Sequence, residues 1–234
     1  MNRRFLLSTS CLIAAMSVYA TGSDPVTIAW KPKEGAVYKF TVKFMANVAG
    51  QDFAFTSDNA ETIKSVKPDH TVVLEDKATN IVVMVAGNKV DSPGTPDSQT
   101  DTVTESGDGH VLDRKSDAAQ KMPRLDSLSQ FIYPSKPVNV GDTWTLLGKG
   151  DKAAGTVDYE VDYTYRGTDT QDGISSYKID VAMKETAGAN PMTGAGTVWI
   201  DTDTGELVKI SAKIKNIESP AGTLDGEIAQ DRKS

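Results

Sequence analysis

Apolar and polar residues alternate along most of the chain from residue 38 onward. In residues 38–44 the aromatic and aliphatic side chains fall on one face, and Lys and Thr fall on the other. The same pattern returns at residues 157–165, 177–183 and 208–215. A period of two is typical of a strand with one buried and one exposed face. No segment of comparable length has a helical period, so the pattern predicts a mainly β protein.

One apolar run breaks this alternation. Residues 81–86 are apolar throughout, which predicts a strand covered on both faces. The best candidate to cover the second face of this strand is the helix-like stretch 116–131, where Met122, Leu125 and Leu128 recur on one side. We predict that Ser116 caps this helix and that Pro123 limits it to short pieces.

Turn residues separate the predicted strands. The segments 49–52, 170–173 and 201–205 each join two neighbouring runs, which predicts hairpins and hence antiparallel pairing. In the second hairpin Asp162 faces either Lys178 or Asp180, and opposite charges favour Lys178. Residues 91–109 are predicted to form a long exposed loop with one short strand near Val103.

These elements predict a particular architecture. We expect about ten antiparallel strands in a curved sheet or half-barrel with a short helical insert, and a β-sandwich is the alternative. Residues 21–234 form a single domain or two similar halves, 26–90 and 131–232. The halves are suggested by two Pro-and-Gly turns that each precede an aromatic residue by three positions, Gly35 before Tyr38 and Gly141 before Trp144.

The N-terminus is typical of an export signal. Arg3 and Arg4 precede a short apolar stretch, and small side chains at Val18 and Ala20 suit signal peptidase. The stretch is shorter than the roughly 20 apolar residues that span a bilayer. We therefore predict a signal peptide at residues 1–20 and a mature protein in the periplasm or outside the cell, without a transmembrane segment. Twin-arginine export lacks its usual spacer here, and Ser8 argues against a lipid anchor at Cys11.

Charge and cysteine content exclude several functions. Cleavage after Ala20 removes the only cysteine and leaves 23 basic residues against 32 acidic ones, a net charge of −9. A thiol-free chain has no disulfide, thiolate metal site or cysteine nucleophile. Nucleic acid and anionic membranes would repel such a chain.

A motif near the middle of the chain resembles one found in other proteins. Residues 134–144 read Pro-Ser-Lys-Pro-Val-Asn-Val-Gly-Asp-Thr-Trp. This stretch resembles a Pro-x-Lys-Pro-Val-x-Val-Gly-Asp-x-Trp motif of uncharacterised exported bacterial β-rich proteins, which implies export and brings no catalytic residue. The layout is also similar to that of periplasmic lipoprotein carriers, whose curved antiparallel sheet surrounds an apolar cavity.

Candidate catalytic and metal-binding residues are few. His70 and His110 both lie beside turn signals, and the chain has no Gly-x-Ser-x-Gly elbow to supply a serine partner. The acidic segment 201–205 lacks the spacing of a calcium loop, so a hairpin turn is favoured. We predict no catalytic residue, no cofactor and no metal, and we favour a protein that is not an enzyme.

The remaining candidates are aromatic residues on the inward face of the strands. They could line an apolar cavity or fill a core, and they are Tyr38, Phe40, Phe44, Phe53, Phe55, Tyr159, Tyr163, Tyr165 and Tyr177. The first functional hypothesis is an exported non-enzymatic protein that binds an apolar ligand or a lipid-linked partner in the curved sheet. The second is a cell-envelope structural or interaction module with an envelope protein as partner. The third is an unrecognised hydrolase that uses His70 or His110.

Overall fold

The structure is a computed structural model, and it describes residues 24–48, 50–90, 98–117, 122–219 and 222–233. These residues contain twelve strands and one short helix. The predicted signal peptide and Cys11 lie outside the described residues. The strands are β1 (Val37–Val48), β2 (Gln51–Val66), β3 (Val72–Val85), β4 (Asn88–Lys89), β5 (Ser98–Glu105), β6 (Val111–Ser116), β7 (Thr143–Gly148), β8 (Tyr159–Gln171), β9 (Ile174–Glu185), β10 (Thr193–Asp201), β11 (Leu207–Ser219) and β12 (Gly222–Arg232), and the helix is α1 (Pro123–Leu128).

The turn chemistry of the sequence explains the local hairpins. Between β8 and β9, Gln171 pairs with Ile174, so the loop is only Asp172 and Gly173. Both have positive φ, 49° and 83°. A two-residue turn of this kind matches the right-handed twist of the flanking strands, and Asp-Gly is a preferred sequence for it. The predicted hairpin is therefore confirmed.

All strands belong to one open antiparallel sheet. Its order is β6-β5-β3-β2-β1-β12-β11-β10-β9-β8-β7, and β4 pairs with β3 beside this path. Pairing of β1 with β12 joins the N-terminal hairpins to the C-terminal ones. The prediction of a mainly β antiparallel fold is confirmed, with twelve strands in place of about ten.

The sheet is strongly curved. Seven strands separate β5 from β8 in the sheet order, and a flat sheet would hold two such strands nearly 40 Å apart at about 4.8 Å per strand. Yet Glu105 on β5 and Tyr163 on β8 line the same cavity. The predicted curved sheet with a short helix is therefore the observed architecture.

Residues 122–142, which we call the cover segment, cross the inner face of the C-terminal strands. Leu128 and Ile132 are buried against Tyr163 in the larger of two hydrophobic clusters. The Tyr163 hydroxyl donates to the Gln130 carbonyl at 2.7 Å, and Trp144 Nε1 donates to the Ile132 carbonyl at 2.7 Å. Because these donors lie on β8 and β7, the cover segment is fixed to the sheet by hydrogen bonds as well as by packing.

An ion pair holds α1 at the end of β9. The Arg124 guanidinium makes two hydrogen bonds to the Glu185 carboxylate, and the first joins Nε to Oε1 at 2.6 Å. Glu185 Oε2 also accepts from the Met192 backbone N–H at 2.6 Å. The bidentate geometry is the strong form of this interaction, so the helix has one defined position on the sheet.

Several local predictions are wrong. Among the described residues of 116–131 the helix covers only Pro123–Leu128, and Ser116 ends β6 instead of capping the helix. The strand predicted near Val103 is present as the eight-residue β5, and Val103 packs in the smaller cluster with Ile63, Val72 and Leu74. Residues 91–97 of the predicted loop lie outside the described residues. Residues 81–85 are only half-buried, because β5 pairs with β3 only as far as Thr79.

The predicted register of the β8–β9 hairpin is also wrong. Asp162 faces Ala182, and neither Lys178 nor Asp180. The opposed charges are instead Glu160 and Lys184, whose side chains lie 2.9 Å apart. The two-residue turn and the bulge between Tyr165 and Gly167 together set this register, and a surface charge pair worth a few tenths of a kcal/mol does not override it.

Candidate functional site

A cavity of about 300 Å³ lies between the inner face of the sheet and the cover segment. The C-terminal strands supply an apolar wall, because their inward residues are aliphatic. The aliphatic and sulfur-containing side chains of this wall are Val181, Met183, Val198, Ile200, Leu207, Ile210, Ala212, Ile214 and Ile228.

The opposite wall is acidic. Glu61 on β2 pairs with Asp76 on β3, so both carboxylates project from the same face of adjacent strands. Glu105 on β5, Asp126 on α1 and Glu206 after β10 complete the acidic lining. Such an arrangement places five carboxyl groups around one cavity, where water screens the buried ones less than at the surface.

Glu206 is the most deeply buried of these acids, with a relative exposure of 4%. Trp30 Nε1 donates to its Oε1 at 2.8 Å. The Trp30 ring lies parallel to that of Tyr133, with centroids 6.3 Å apart, and the Tyr133 hydroxyl donates to the Gly205 carbonyl at 2.7 Å. Both rings line the cavity, so a carboxylate and two aromatic rings meet at one end of it.

The acidic wall favours protonated carboxyl groups. Burial raises the pKa of Glu61 to about 8, and the nearby carboxylates of Glu206, Asp76 and Glu105 add to the effect. Burial also raises the pKa of Glu105 to about 7. For Glu206, burial raises the pKa to about 7 although the Trp30 hydrogen bond and Arg232 act in the opposite direction.

Two further acids of this wall are shifted in the same direction. Burial raises the pKa of Asp76, against two hydrogen bonds from the Asn59 side-chain amide at 3.3 and 3.1 Å. Burial likewise raises the pKa of Asp126. Perturbed carboxyl groups gathered in a cleft are typical of a functional site.

Basic side chains near the acidic wall already have partners. Arg114 lies 3.5 Å from Asp101 and 3.6 Å from Asp126. Arg232 pairs with Asp201 at 3.1 Å, and its guanidinium lies 4.5 Å from the Tyr38 ring centroid. Neither arginine forms a direct ion pair with Glu61, Glu105 or Glu206 among the described residues, although both lie near enough to lower the pKa of these glutamates.

The predicted aromatic residues have varied positions. Tyr163 lines the cavity, while Phe40, Tyr159 and Tyr165 are buried in the body of the protein. The other five, Tyr38, Phe44, Phe53, Phe55 and Tyr177, are half-buried. A role for these nine residues in binding an apolar ligand stays a prediction.

Sequence reasoning missed the acidic wall, although one signal was present. Strand β2 pairs with β1 without a bulge, so alternate residues keep the same face from Phe53 to Ile63. Phe53 and Phe55 therefore place Glu61 on the inward face. The alternation shows which face Glu61 occupies, and only the curvature shows that Glu105 and Glu206 lie nearby.

The predicted histidine and calcium candidates lie in turns. His70 is exposed, and His110 Nδ1 lies 3.0 Å from Asp108 Oδ1. The Ser106 hydroxyl donates to that carboxylate and not to the imidazole, so it lacks the general base of a hydrolase. Asp201 Oδ1 accepts from the backbone N–H groups of Asp203 and Thr204, which confirms the predicted hairpin turn.

A groove of about 580 Å³ lies on the outer face of the sheet. Four of its charged residues form ion pairs, Arg166 with Asp180 at 2.7 Å and Lys213 with Glu227 at 2.8 Å. The fifth, Asp162, accepts a hydrogen bond from the Thr145 hydroxyl at 2.7 Å. Within the described ranges, no group of three or more His, Cys, Asp or Glu side chains is arranged to hold a metal ion. The described residues also include no helix long and apolar enough to cross a membrane.

Comparison with known proteins yields weak structural similarities. No protein family and no curated protein matches the sequence. A Bacteroides fragilis protein thought to be exported, with a YmcC-like fold, is 13% identical with a TM-score of 0.39, covering 89% of this chain and 100% of its own. DynF from the dynemicin biosynthesis pathway of Micromonospora chersina is 7% identical with a TM-score of 0.24, covering 90% of this chain and 86% of its own. A DUF1329 family protein from Desulfovibrio piger is 10% identical with a TM-score of 0.22 and 84% coverage of both chains.

Proposed function

We propose that the protein is an exported, non-enzymatic binding protein that holds an apolar ligand, or the apolar part of a lipid-linked partner, inside the curved sheet. The cavity of about 300 Å³ between the sheet and the cover segment is the observation that carries this proposal. Its aliphatic wall would remove an alkyl chain from water at a gain of about 25 cal/mol per Å² of apolar surface.

The cavity volume sets the size of the ligand. At about 30 Å³ for a water-sized group, 300 Å³ accommodates roughly ten heavy atoms. This volume suits one short alkyl chain. A larger lipid-linked partner would therefore place only part of one chain in the cavity.

Native mass spectrometry of the freshly purified protein tests the proposal. We expect a bound mass that disappears after extraction with organic solvent. N-terminal sequencing of protein recovered from a bacterial envelope fraction tests export, and the expected first residue is Thr21. An unchanged mass after extraction, together with no binding of added short-chain amphiphiles, would count against the binding function.

The open edges of the sheet favour the second candidate, an envelope interaction module. Strand β7 pairs only with β8, and its Leu147 is 74% exposed. An exposed edge can pair with a strand of another protein. A photoreactive side chain at position 147 would cross-link such a partner in cells, whereas one at the exposed Val37 on the interior strand β1 would not.

A further inference from the structure

The lining of the cavity has an excess of acidic groups. It contains five carboxyl side chains, from Glu61, Asp76, Glu105, Asp126 and Glu206. Arg114 is the one basic side chain among the described lining residues, and it lies near Asp101 and Asp126. A ligand that brings a positive charge would therefore supply what this wall lacks.

One carboxylate oxygen is free to receive that charge. Glu206 is 4% exposed, and its Oε1 accepts the Trp30 indole N–H. Its Oε2 accepts no hydrogen bond from the described residues, although the side chain lines the cavity. Every fully buried side-chain nitrogen or oxygen among the described residues has a hydrogen-bond partner, so this oxygen is open to the cavity, where a donor on the ligand can reach it.

Aromatic rings lie beside the Glu206 side chain. Trp30 and Tyr133 are parallel, and both line the cavity next to Glu206. The faces of Trp and Tyr attract cations, and such rings are used to recognise ammonium groups. Rings and carboxylates thus point independently to the same ligand chemistry.

We infer that the cavity binds an alkylamine, with its protonated amine at Glu206, Trp30 and Tyr133 and its alkyl chain along the aliphatic wall. This inference rests on the proposed function and specifies its ligand class. Glu61 and Glu105 contribute to the negative potential that holds the amine.

A metal ion suits these residues less well than an amine. No three acidic or histidine side chains among the described residues are grouped closely enough to coordinate one ion. An ammonium group donates three hydrogen bonds and does not need its acceptors to be as close together as metal ligands. In an alkylamine it is also attached to an apolar chain, which can pack against the aliphatic wall. The pKa values of about 7 and 8 in this wall imply that amine binding releases protons near neutral pH.

The test compares three probes of equal length, octylamine, octanol and octanoate, by isothermal titration calorimetry at pH 6 and pH 8. We expect octylamine to bind at least about tenfold more tightly than octanol at pH 8, since a hydrogen bond to a charged group contributes about 1.5–3 kcal/mol. This preference should shrink at pH 6, because Glu61, Glu105 and Glu206 are then more protonated. The other charged groups that act on Glu61, Glu105 and Glu206 are Asp76, Asp201, Arg114 and Arg232, and Asp126 lines the same cavity.

Variants assign the effect to the acidic wall. Glu206→Gln keeps an acceptor for Trp30 but removes the charge, so octylamine affinity should fall about tenfold while octanol affinity stays unchanged. Glu61→Gln serves the same purpose if Glu206→Gln folds poorly. Glu227→Gln is the matched control, since Glu227 pairs with Lys213 on the outer face, and it should change neither affinity.

The outcomes separate this inference from the proposed function. Equal binding of octylamine and octanol, or tighter binding of octanoate, would overturn the amine inference and leave the apolar cavity supported. If none of the three probes bound, both the amine inference and the proposed binding function would be contradicted. An octylamine preference that survives Glu206→Gln and Glu61→Gln would also overturn the inference, because the charge would then act elsewhere.

Discussion

Trp30 Nε1 lies 2.8 Å from Glu206 Oε1, and this hydrogen bond joins two residues that are 176 positions apart. It connects the segment before β1 to the end of the turn between β10 and β11. A backbone hydrogen bond from the Lys31 N–H to the Thr204 carbonyl, 2.8 Å long, supports the same contact. The N-terminal segment is thereby held against the end of the cavity where Glu206 lies.

Trp30→Phe should destabilise the protein by about 1–3 kcal/mol at pH 8, because it leaves a buried carboxylate without its donor. The loss should be smaller at pH 5, where Glu206 is protonated. Urea unfolding followed by circular dichroism measures both values. Trp199→Phe is the control, since its indole N–H bonds the side chain of Asp169 near the surface. Equal losses in the two variants would contradict a special role for Glu206.

Stability should depend on pH through the acidic wall. The folded pKa values of Glu61, Glu105 and Glu206, about 8, 7 and 7, exceed the ordinary value of 4.5. The folded state therefore binds more protons than the unfolded state between these limits, and the free energy of unfolding falls as pH rises from about 4.5 to 8. We expect a total decrease of at least about 1 kcal/mol, measured by urea unfolding at a series of pH values.

Glu61→Gln should flatten this pH dependence, because its amide does not ionise. Glu227→Gln on the outer face should leave the slope as it is. A free energy of unfolding that rises between pH 5 and pH 8 would show that the acidic wall is not buried as described.

Gly205→Ala should be more damaging than an ordinary glycine substitution in a turn. Gly205 has φ of +77°, and an added Cβ would lie 2.2 Å from the Ala29 carbonyl oxygen. Gly173 has φ of +83° but nothing within 4 Å of an added Cβ. Gly173→Ala should therefore cost about 1–2 kcal/mol for the backbone conformation alone, and Gly205→Ala should cost clearly more. Thermal unfolding of both variants measures the difference, and equal costs would contradict the close approach of residues 29 and 205.

Arg124→Met tests the attachment of the helix. The Glu185 side chain is 2% exposed and that of Arg124 is 13% exposed, so removal of the cation leaves a buried charge and should cost about 3–5 kcal/mol. Replacing both residues by Met should recover part of this loss. Glu218→Gln should cost less than about 1 kcal/mol, because the Glu218 side chain that also pairs with Arg124 is 67% exposed. Chemical denaturation provides all three values.

Part of the candidate site could have been read from the sequence. The alternation through Phe53 and Phe55 places Glu61 on the inward face, and the same argument applies to Tyr163 on β8. Neither argument gives the residues that lie opposite, because these come from strands far away in the sheet order. The short helix is a second example. Pro123 predicts from the sequence that the helix is short, but its position on the sheet depends on the ion pair with Glu185, which the sequence does not show.

By itself the sequence determined the period-two strands, the antiparallel hairpins and the mainly β class, because side-chain direction and turn conformation depend on neighbouring residues. Tertiary structure alone decided the pairing of β1 with β12, the position of the cover segment and the gathering of five carboxyl groups in one cavity. The physical reason is that curvature brings strands together across the open interior of the sheet. Burial and charge at Glu61, Glu105 and Glu206 then depend on residues that no local pattern specifies.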